Sequence, residues 1–174
     1  MIYYEKPPIR IRTLASSDVQ IFTEEERRQG YHSEAAKFEM RLKDQAEHRA
    51  IALAAEYEGN PAGYINVYFR PAGGPFAGQE LPELVDFGVL EKYRNRGIGT
   101  ALLDTAEKIA SELADTVCLG VGLHNGYGSA QRLYVKRGYI PDGSGVWYQD
   151  QVCAQYAPCC NDDDLILYFS KKLR

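Results

Sequence analysis

Apolar and polar residues alternate from Ile9 to Leu14, IRIRTL, which predicts a strand with one buried and one wet face. Ser16, Ser17 and Asp18 then offer helix caps, and two short helices are expected. The first runs through Glu24–Arg28 and breaks near Gly30; the second spans Ser33 to about Glu47, with Ala36, Met40 and Leu42 inward. Ile51–Tyr57 and Ala62–Phe69 are β-prone runs on either side of Glu58-Gly59-Asn60-Pro61, the composition of a hairpin turn. A Gly/Pro-rich loop, Pro71–Pro82, leads into a strand from Glu83 to Leu90 and could border a substrate.

The strongest helical pattern follows, from Ile98 to about Ala114. Ile98, Leu102, Thr105, Ile109 and Leu113 share one face, with Asp104, Glu107, Lys108 and Glu112 on the other. Val117–Leu123 reads as a buried strand, Ser129–Arg137 as a short helix ended by Gly138, and Gly143–Tyr148 and Asp163–Ser170 as strands. This order predicts an α/β (α+β) fold with helices packed on a mixed sheet. No repeat or long linker divides the chain, so residues 1–174 are expected to form one domain.

Composition narrows the functions. With 174 residues, 45% of them hydrophobic, the chain can bury a real core. A net charge of -4 argues against a broad basic surface for nucleic acid and favours small or basic partners. No apolar run approaches the roughly 18 residues of a membrane span, and no signal core opens the chain, so a soluble cytoplasmic protein is expected. Cys118, Cys153, Cys159 and Cys160 lack the spacing of a zinc framework; they read as reduced thiols, Cys118 in the core and Cys159 and Cys160 open to oxidation. No metal is expected.

Tyr93–Asp104, YRNRGIGTALLD, places two glycines and two arginines where a helix begins. The first turn of a helix presents unpaired N–H groups and a partial positive charge, so a phosphate cradle is predicted, with Gly97 and Gly99 baring the backbone and Arg94 and Arg96 adding charge. The GxxxxGK[ST] spelling of a nucleotide loop never occurs, and a GxGxxG fingerprint fails at Leu102.

Arg94-x-x-Gly97-x-Gly99 resembles the acyl-CoA pyrophosphate motif R/Q-x-x-G-x-G/A of the GNAT superfamily of N-acetyltransferases. Downstream, Ala130-x-x-Leu133-Tyr134-x-x-x-Gly138-Tyr139 resembles that family's A-x-x-L-Y-x-x-x-G-F/Y block. The likeness covers Glu83–Tyr139 and implies a mostly antiparallel central sheet flanked by helices. One departure is Tyr127, three residues before Ala130, where the family often has asparagine.

The resemblance implies acetyl-CoA as acyl donor and a primary amine, on a small molecule or a peptide, as acceptor in a ternary complex. It implies that backbone N–H groups of Arg94, Asn95, Arg96, Gly97, Ile98, Gly99 and Thr100 hold the pyrophosphate. The backbone at Val89 would polarise the thioester carbonyl, and Ala130 and Leu133 would line the cofactor site. Tyr134 would protonate the departing thiolate. Because an ammonium, with a reference pKa of about 10.4, must lose a proton before attack, a base is required; Glu83 is preferred to Asp86. His124 follows a buried strand and is a further candidate contact, and Tyr127 either stacks on a ligand or fills a gap. A non-catalytic acyl-CoA-binding regulatory module is the alternative. The apolar LILYF of the last strand offers an edge for a homodimer.

Overall fold

A computed structural model describes residues 1–174. The fold is α/β, as the element order predicts, with a mostly antiparallel sheet flanked by helices, as the family resemblance implies. Its residues gather into two compact units, one comprising Met1–Tyr68 with Leu84–Ile109 and the other Phe69–Glu83 with Ala110–Arg174.

In the first unit, β1 (Ile2–Lys6) and β2 (Ile9–Thr13) form a hairpin across Pro7-Pro8. The helices α1 (Ser16–Arg28) and α2 (Ala35–Ala46) follow, then β3 (Ala50–Tyr57), β4 (Asn60–Tyr68) and β5 (Glu83–Val89). Strand order there is β1-β2-β3-β4-β5, and β2 pairs antiparallel with β3 from Ile9↔Tyr57 to Thr13↔Leu53. The predicted hairpin exists, with Tyr57↔Asn60 closing its turn. The first strand, β1, has no counterpart in the sequence reading: IYYEK lacks the alternation that marks β2, and its partner is the neighbouring strand alone.

Helix α1 is locked to β2 at its start. Asp18 is buried, accepts the Ala15 N–H at 2.8 Å, and receives both Arg12 guanidinium nitrogens at 2.6 and 2.8 Å, so one carboxylate caps the helix and fixes its entry angle. In α2 the predicted inward face is off by one register. Ala36 and Met40 are exposed, while Phe38 is buried and Ala35 and Leu42 pack on the core. A row at 35, 38 and 42 satisfies helical spacing as well as 36, 40 and 42 does, and the ring at Phe38 decides between them because it buries the larger apolar area. It packs with Phe22 of α1 and Tyr64 of β4 at centroid separations of 5.1–5.5 Å. Leu14, Val19, Ala52, Ala54 and Leu90 complete that cluster.

Tyr64 carries a polar atom into this apolar core, and its hydroxyl donates to Glu26. Glu26 also receives Ser33 Oγ at 2.5 Å and Lys37 Nζ at 2.9 Å. A buried carboxylate is tolerable only when its lone pairs are filled, and here three donors fill them.

Helix α3 (Ile98–Leu113) has the predicted face, since Ile98, Leu102, Thr105 and Ile109 are buried, but Leu113 is half exposed in the last turn. In the second unit β6 (Thr116–Gly122), α4 (Gly128–Lys136), β7 (Ile140–Tyr148), β8 (Gln151–Val152) and β9 (Leu165–Lys172) give the strand order β6-β9-β7-β8. β9 pairs antiparallel with β6 from Thr116↔Lys172 to Gly122↔Ile166, which puts its LILYF between two strands instead of at an edge. Cys118 is buried as expected, and Cys159 and Cys160 are exposed.

Burial pushes the Glu26 carboxyl up, but hydrogen bonds from Ser33, Tyr64 and Lys37 together with the lysine's charge outweigh it, leaving its pKa below the ordinary 4.5. A carboxyl whose folded pKa lies below its unfolded value stabilises the fold above that unfolded value, and the contribution is lost as pH falls through the folded one. Urea unfolding is therefore expected to show stability falling below about pH 4.5. Glu26→Gln is expected to lose about 1–3 kcal/mol at pH 7 and to show a shallower acid limb. An acid limb as steep as the parent's would exclude Glu26 as its source.

Candidate active site

The stretch that begins α3 folds into an exposed turn. After a 3-10 turn at Glu91–Tyr93 the chain runs extended at Arg94 and left-handed at Asn95 (φ 61) and Gly97 (φ 82) before the helix begins at Ile98. These two left-handed residues stand at the positive end of a 16-residue helix. Ile98 is buried and anchors the turn; Arg94, Asn95, Arg96, Gly97 and Thr100 are exposed.

The two glycines have different reasons. At Gly97 a side chain would meet nothing nearer than Ile9 Cδ1 at 4.0 Å, so the positive φ requires glycine and the space beside it stays open. At Gly99 a Cβ would lie 3.2 Å from the Phe87 ring and 3.6 Å from Val89 Cγ2, so the requirement is close packing of α3 on β5. The arginines also divide. Arg96 sits over the Tyr57 ring at 5.0 Å, and Arg94 lies 3.3 Å from Glu91 and 3.4 Å from the Val89 carbonyl with half its side chain exposed. Both side chains remain exposed at the turn. Exposed, flanked by two arginines and placed at a helix N-terminus, the turn has the chemistry that suits an anion such as a pyrophosphate.

Val89 ends β5, and the strand is shaped on its way there. Asp86 is left-handed (φ 53) within the strand, and the Asn66 side chain donates to the Val85 carbonyl at 3.1 Å. Beyond it, Gly88 lies under the Tyr64 ring, where a Cβ would be 2.7 Å from the ring, and the Leu90 N–H bonds the Ala62 carbonyl at 2.9 Å. The Asp86 carboxylate accepts two guanidinium nitrogens of Arg41, at 2.7 and 2.8 Å. Arg41 in turn donates to Tyr68, which donates to Asp44, which receives Arg49. Sequence reasoning missed Arg41; it lies 45 positions from Asp86, and no local pattern links them.

In the second unit, Tyr134 is buried in α4, edge-on to Tyr139 at 5.6 Å. Burial, helped by Tyr127, pushes its hydroxyl pKa well up, so the phenol stays protonated across the physiological range. Ala130 and Leu133 are half-buried on the same helix. Glu83, half-buried at the start of β5, lies close enough to raise the pKa of Cys118 and Tyr168 by its charge. His124 and Tyr127 are engaged locally. His124 Nδ1 accepts the Gly126 N–H at 3.0 Å, which puts its proton on Nε2, facing Asp163 at 3.0 Å; the Tyr127 hydroxyl reaches the same carboxylate at 2.9 Å. The Tyr127 ring covers Gly122, where a Cβ would fall 2.4 Å from it, so it fills a gap.

No helix is long and apolar enough to cross a membrane, and no group of three or more His, Cys, Asp or Glu is placed to hold a metal ion. The Acetyltransferase (GNAT) family matches residues 13–139. An uncharacterized N-acetyltransferase of Chlorobaculum tepidum is 24% identical over 132 residues, covering 75% of this chain and 79% of its own. An N-alpha-acetyltransferase of Sulfurisphaera tokodaii is 39% identical over 101 residues, covering 53% of this chain and 58% of its own. Among solved structures, a putative acetyltransferase from Salmonella typhimurium with its cofactor acetyl-CoA superposes with a TM-score of 0.67 at 15% identity, over 96% of this chain and 95% of that one. The open glycine turn before α3 and the leucine-tyrosine pair of α4 thus sit within a stretch matched by one family, and the chain belongs to the GNAT family of acetyltransferases.

Proposed function

We propose that the protein transfers the acetyl group of acetyl-CoA to a primary amine by direct attack in a ternary complex. The observation that carries this reading is the turn Arg94–Thr100, whose left-handed Asn95 and Gly97 open the backbone at the N-terminus of α3. The pyrophosphate is held there, by main-chain N–H groups and by Arg94. The amine nitrogen bonds to the acetyl carbon as the carbon–sulfur bond breaks, giving an amide and the CoA thiol. Charge that builds on the carbonyl oxygen is stabilised by the main-chain N–H at Val89, at the end of a strand bent by Asp86.

Three proton transfers balance the reaction, one of them the second proton of the attacked nitrogen, which returns through water to the Tyr134 oxygen. The departing sulfur takes one from Tyr134, which burial keeps protonated. The ammonium gives one up to Glu83, directly or through water. Asp86, the other carboxylate, is committed to Arg41 and acts as a structural anion that sets the bend in β5. The name of the Sulfurisphaera tokodaii relative, an N-alpha-acetyltransferase, supports an α-amine among the acceptors to be tried.

Incubation with acetyl-CoA and pooled amines, polyamines and short peptides is expected to release free CoA thiol; no release together with no acetyl-CoA binding by calorimetry would refute the reading. Tyr134→Phe is expected to lower kcat roughly 100-fold or more. Its acetyl-CoA affinity should stay within about twofold, since the hydroxyl acts in the transition state. An unchanged kcat would remove Tyr134 from proton transfer. Gly97→Ala, at φ 82, is expected to weaken acetyl-CoA binding about tenfold and to cost about 1–2 kcal/mol in urea unfolding. Full affinity in that variant would move the pyrophosphate elsewhere.

A further inference from the structure

In the second unit the hairpin of β7 and β8 pairs Trp147↔Val152 and Tyr148↔Gln151 and turns at Gln149 (φ 50) and Asp150 (φ 61), both left-handed. Cys153 follows directly, and its N–H donates to the Val146 carbonyl at 2.8 Å, so its main chain is held against β7. The chain then reverses: the Ala157 N–H donates to the Ala154 carbonyl at 3.0 Å, and Tyr156 is left-handed (φ 67) and 95% exposed. Beyond the turn Cys159 comes back to Cys153, and a hydrogen bond joins the two thiols. The far end of the segment is tied to the same hairpin, where the Gln149 N–H donates to the Asp164 carbonyl at 3.4 Å. An open cleft of about 330 Å³ lies beside Cys153, with Tyr148, Val152, Ala157 and Pro158 among its walls.

Position decides which sulfurs can join. Cys118 is buried in β6, and burial pushes its thiol up, which leaves it inert. Cys159 and Cys160 are adjacent, and neighbouring Cα atoms lie about 3.8 Å apart, short of the roughly 4.4–6.8 Å that a disulfide spans. The Cys160 sulfur is also engaged elsewhere, since the Tyr148 hydroxyl donates to it, and that bond is the first cause that pushes the phenol up to about 12. Cys153 and Cys159 remain, on either side of a reverse turn. Desolvation and then the bond to Cys153 raise the Cys159 pKa, so Cys159 keeps its proton and offers it to the Cys153 sulfur. A sulfur that accepts such a contact is the better carrier of negative charge, and the thiolate is the form that reacts.

We propose that Cys153 and Cys159 are a redox pair which hydrogen peroxide converts to an intramolecular disulfide, with Cys160 left as a thiol. The inference is independent of the acetyl-transfer reading. The Cys153 thiolate attacks one peroxide oxygen and the O–O bond breaks. Hydroxide leaves, takes up the proton that Cys153 shed, and becomes water, while Cys153 becomes a sulfenic acid. The Cys159 sulfur then attacks the Cys153 sulfur and its proton goes to the departing oxygen, so the S–S bond forms as the S–O bond breaks and a second water leaves. Two thiols lose two electrons and the peroxide gains them. A reducing dithiol restores the pair by exchange. The bond closes the turn Ala154–Pro158 into a ring and leaves the pairing of β7 with β8 as it is.

Three thiols lie outside the core, Cys153, Cys159 and Cys160, and all three are expected to react with an aromatic disulfide reagent in the native reduced protein. After treatment with hydrogen peroxide one is expected to remain, the chain is lighter by two hydrogens, and dithiothreitol restores all three. Chymotrypsin gives the position of the bond, because exposed Tyr156 lies between the paired cysteines. The fragment that begins at Ala157 is expected to stay attached to the oxidised chain until reductant is added. Cys160→Ser is expected to keep the link. Cys159→Ser is expected to lose it and to hold Cys153 as a sulfenic acid that dimedone captures. Release of the fragment from the peroxide-treated parent without reductant would overturn the proposal before any variant is made. A link that survives in Cys159→Ser, or disappears in Cys160→Ser, would overturn this pairing and assign the bond to Cys160.

Discussion

The ion pair between Arg41 and Asp86 holds an uncommon backbone conformation within β5, the strand that leads to the turn before α3. Asp86 adopts a left-handed backbone inside a strand, a conformation that costs an L-residue about 1–2 kcal/mol and persists only where its surroundings hold it. Two short contacts from a partly buried guanidinium do so, and the Asn66 amide takes the carbonyl of Val85 that the bend would otherwise strand. From there the strand runs over Gly88 to Val89, and the helix that follows can approach closely because residue 99 has no side chain.

Local chemistry was legible in the amino-acid sequence. Gly97 and the basic residues beside it announced an anion turn, and Gly138 (φ 86) marked the end of α4. The hairpin turn at Glu58–Asn60 and the apolar face of α3 were equally plain, because a turn or a helix face is written in residues a few positions apart. The inward face of α2 was misread because the deciding contact, Phe38 on Phe22 and Tyr64, comes from other elements. Gly99 was read as clearance for a ligand, whereas Phe87 supplies the stronger constraint. Arg41 could not be matched to Asp86, nor Asp150 to Gly74, since those partners are 45 and 76 positions apart.

Charge is distributed with a purpose that the net value of -4 conceals. In the first unit the carboxylates in the core, Asp18, Glu26 and Asp44, are each met by arginine or lysine and by neutral donors. They are structural, and their energies come from fully satisfied hydrogen bonding. Around Tyr168 in the second unit the balance differs, with Asp142 holding a buried oxygen that no donor reaches.

The turn before α3 also bears on kinetics. Its shape is imposed by the chain itself, through Asn95 and Gly97 in left-handed conformations, Ile98 buried beneath and Gly99 against Phe87. The conformational entropy of ordering those residues is therefore spent during folding, and on the proposed reading little of it would be charged to cofactor capture. Association can then proceed without a slow rearrangement of the loop, and differences in affinity among acyl-CoA analogues would be expressed as residence time.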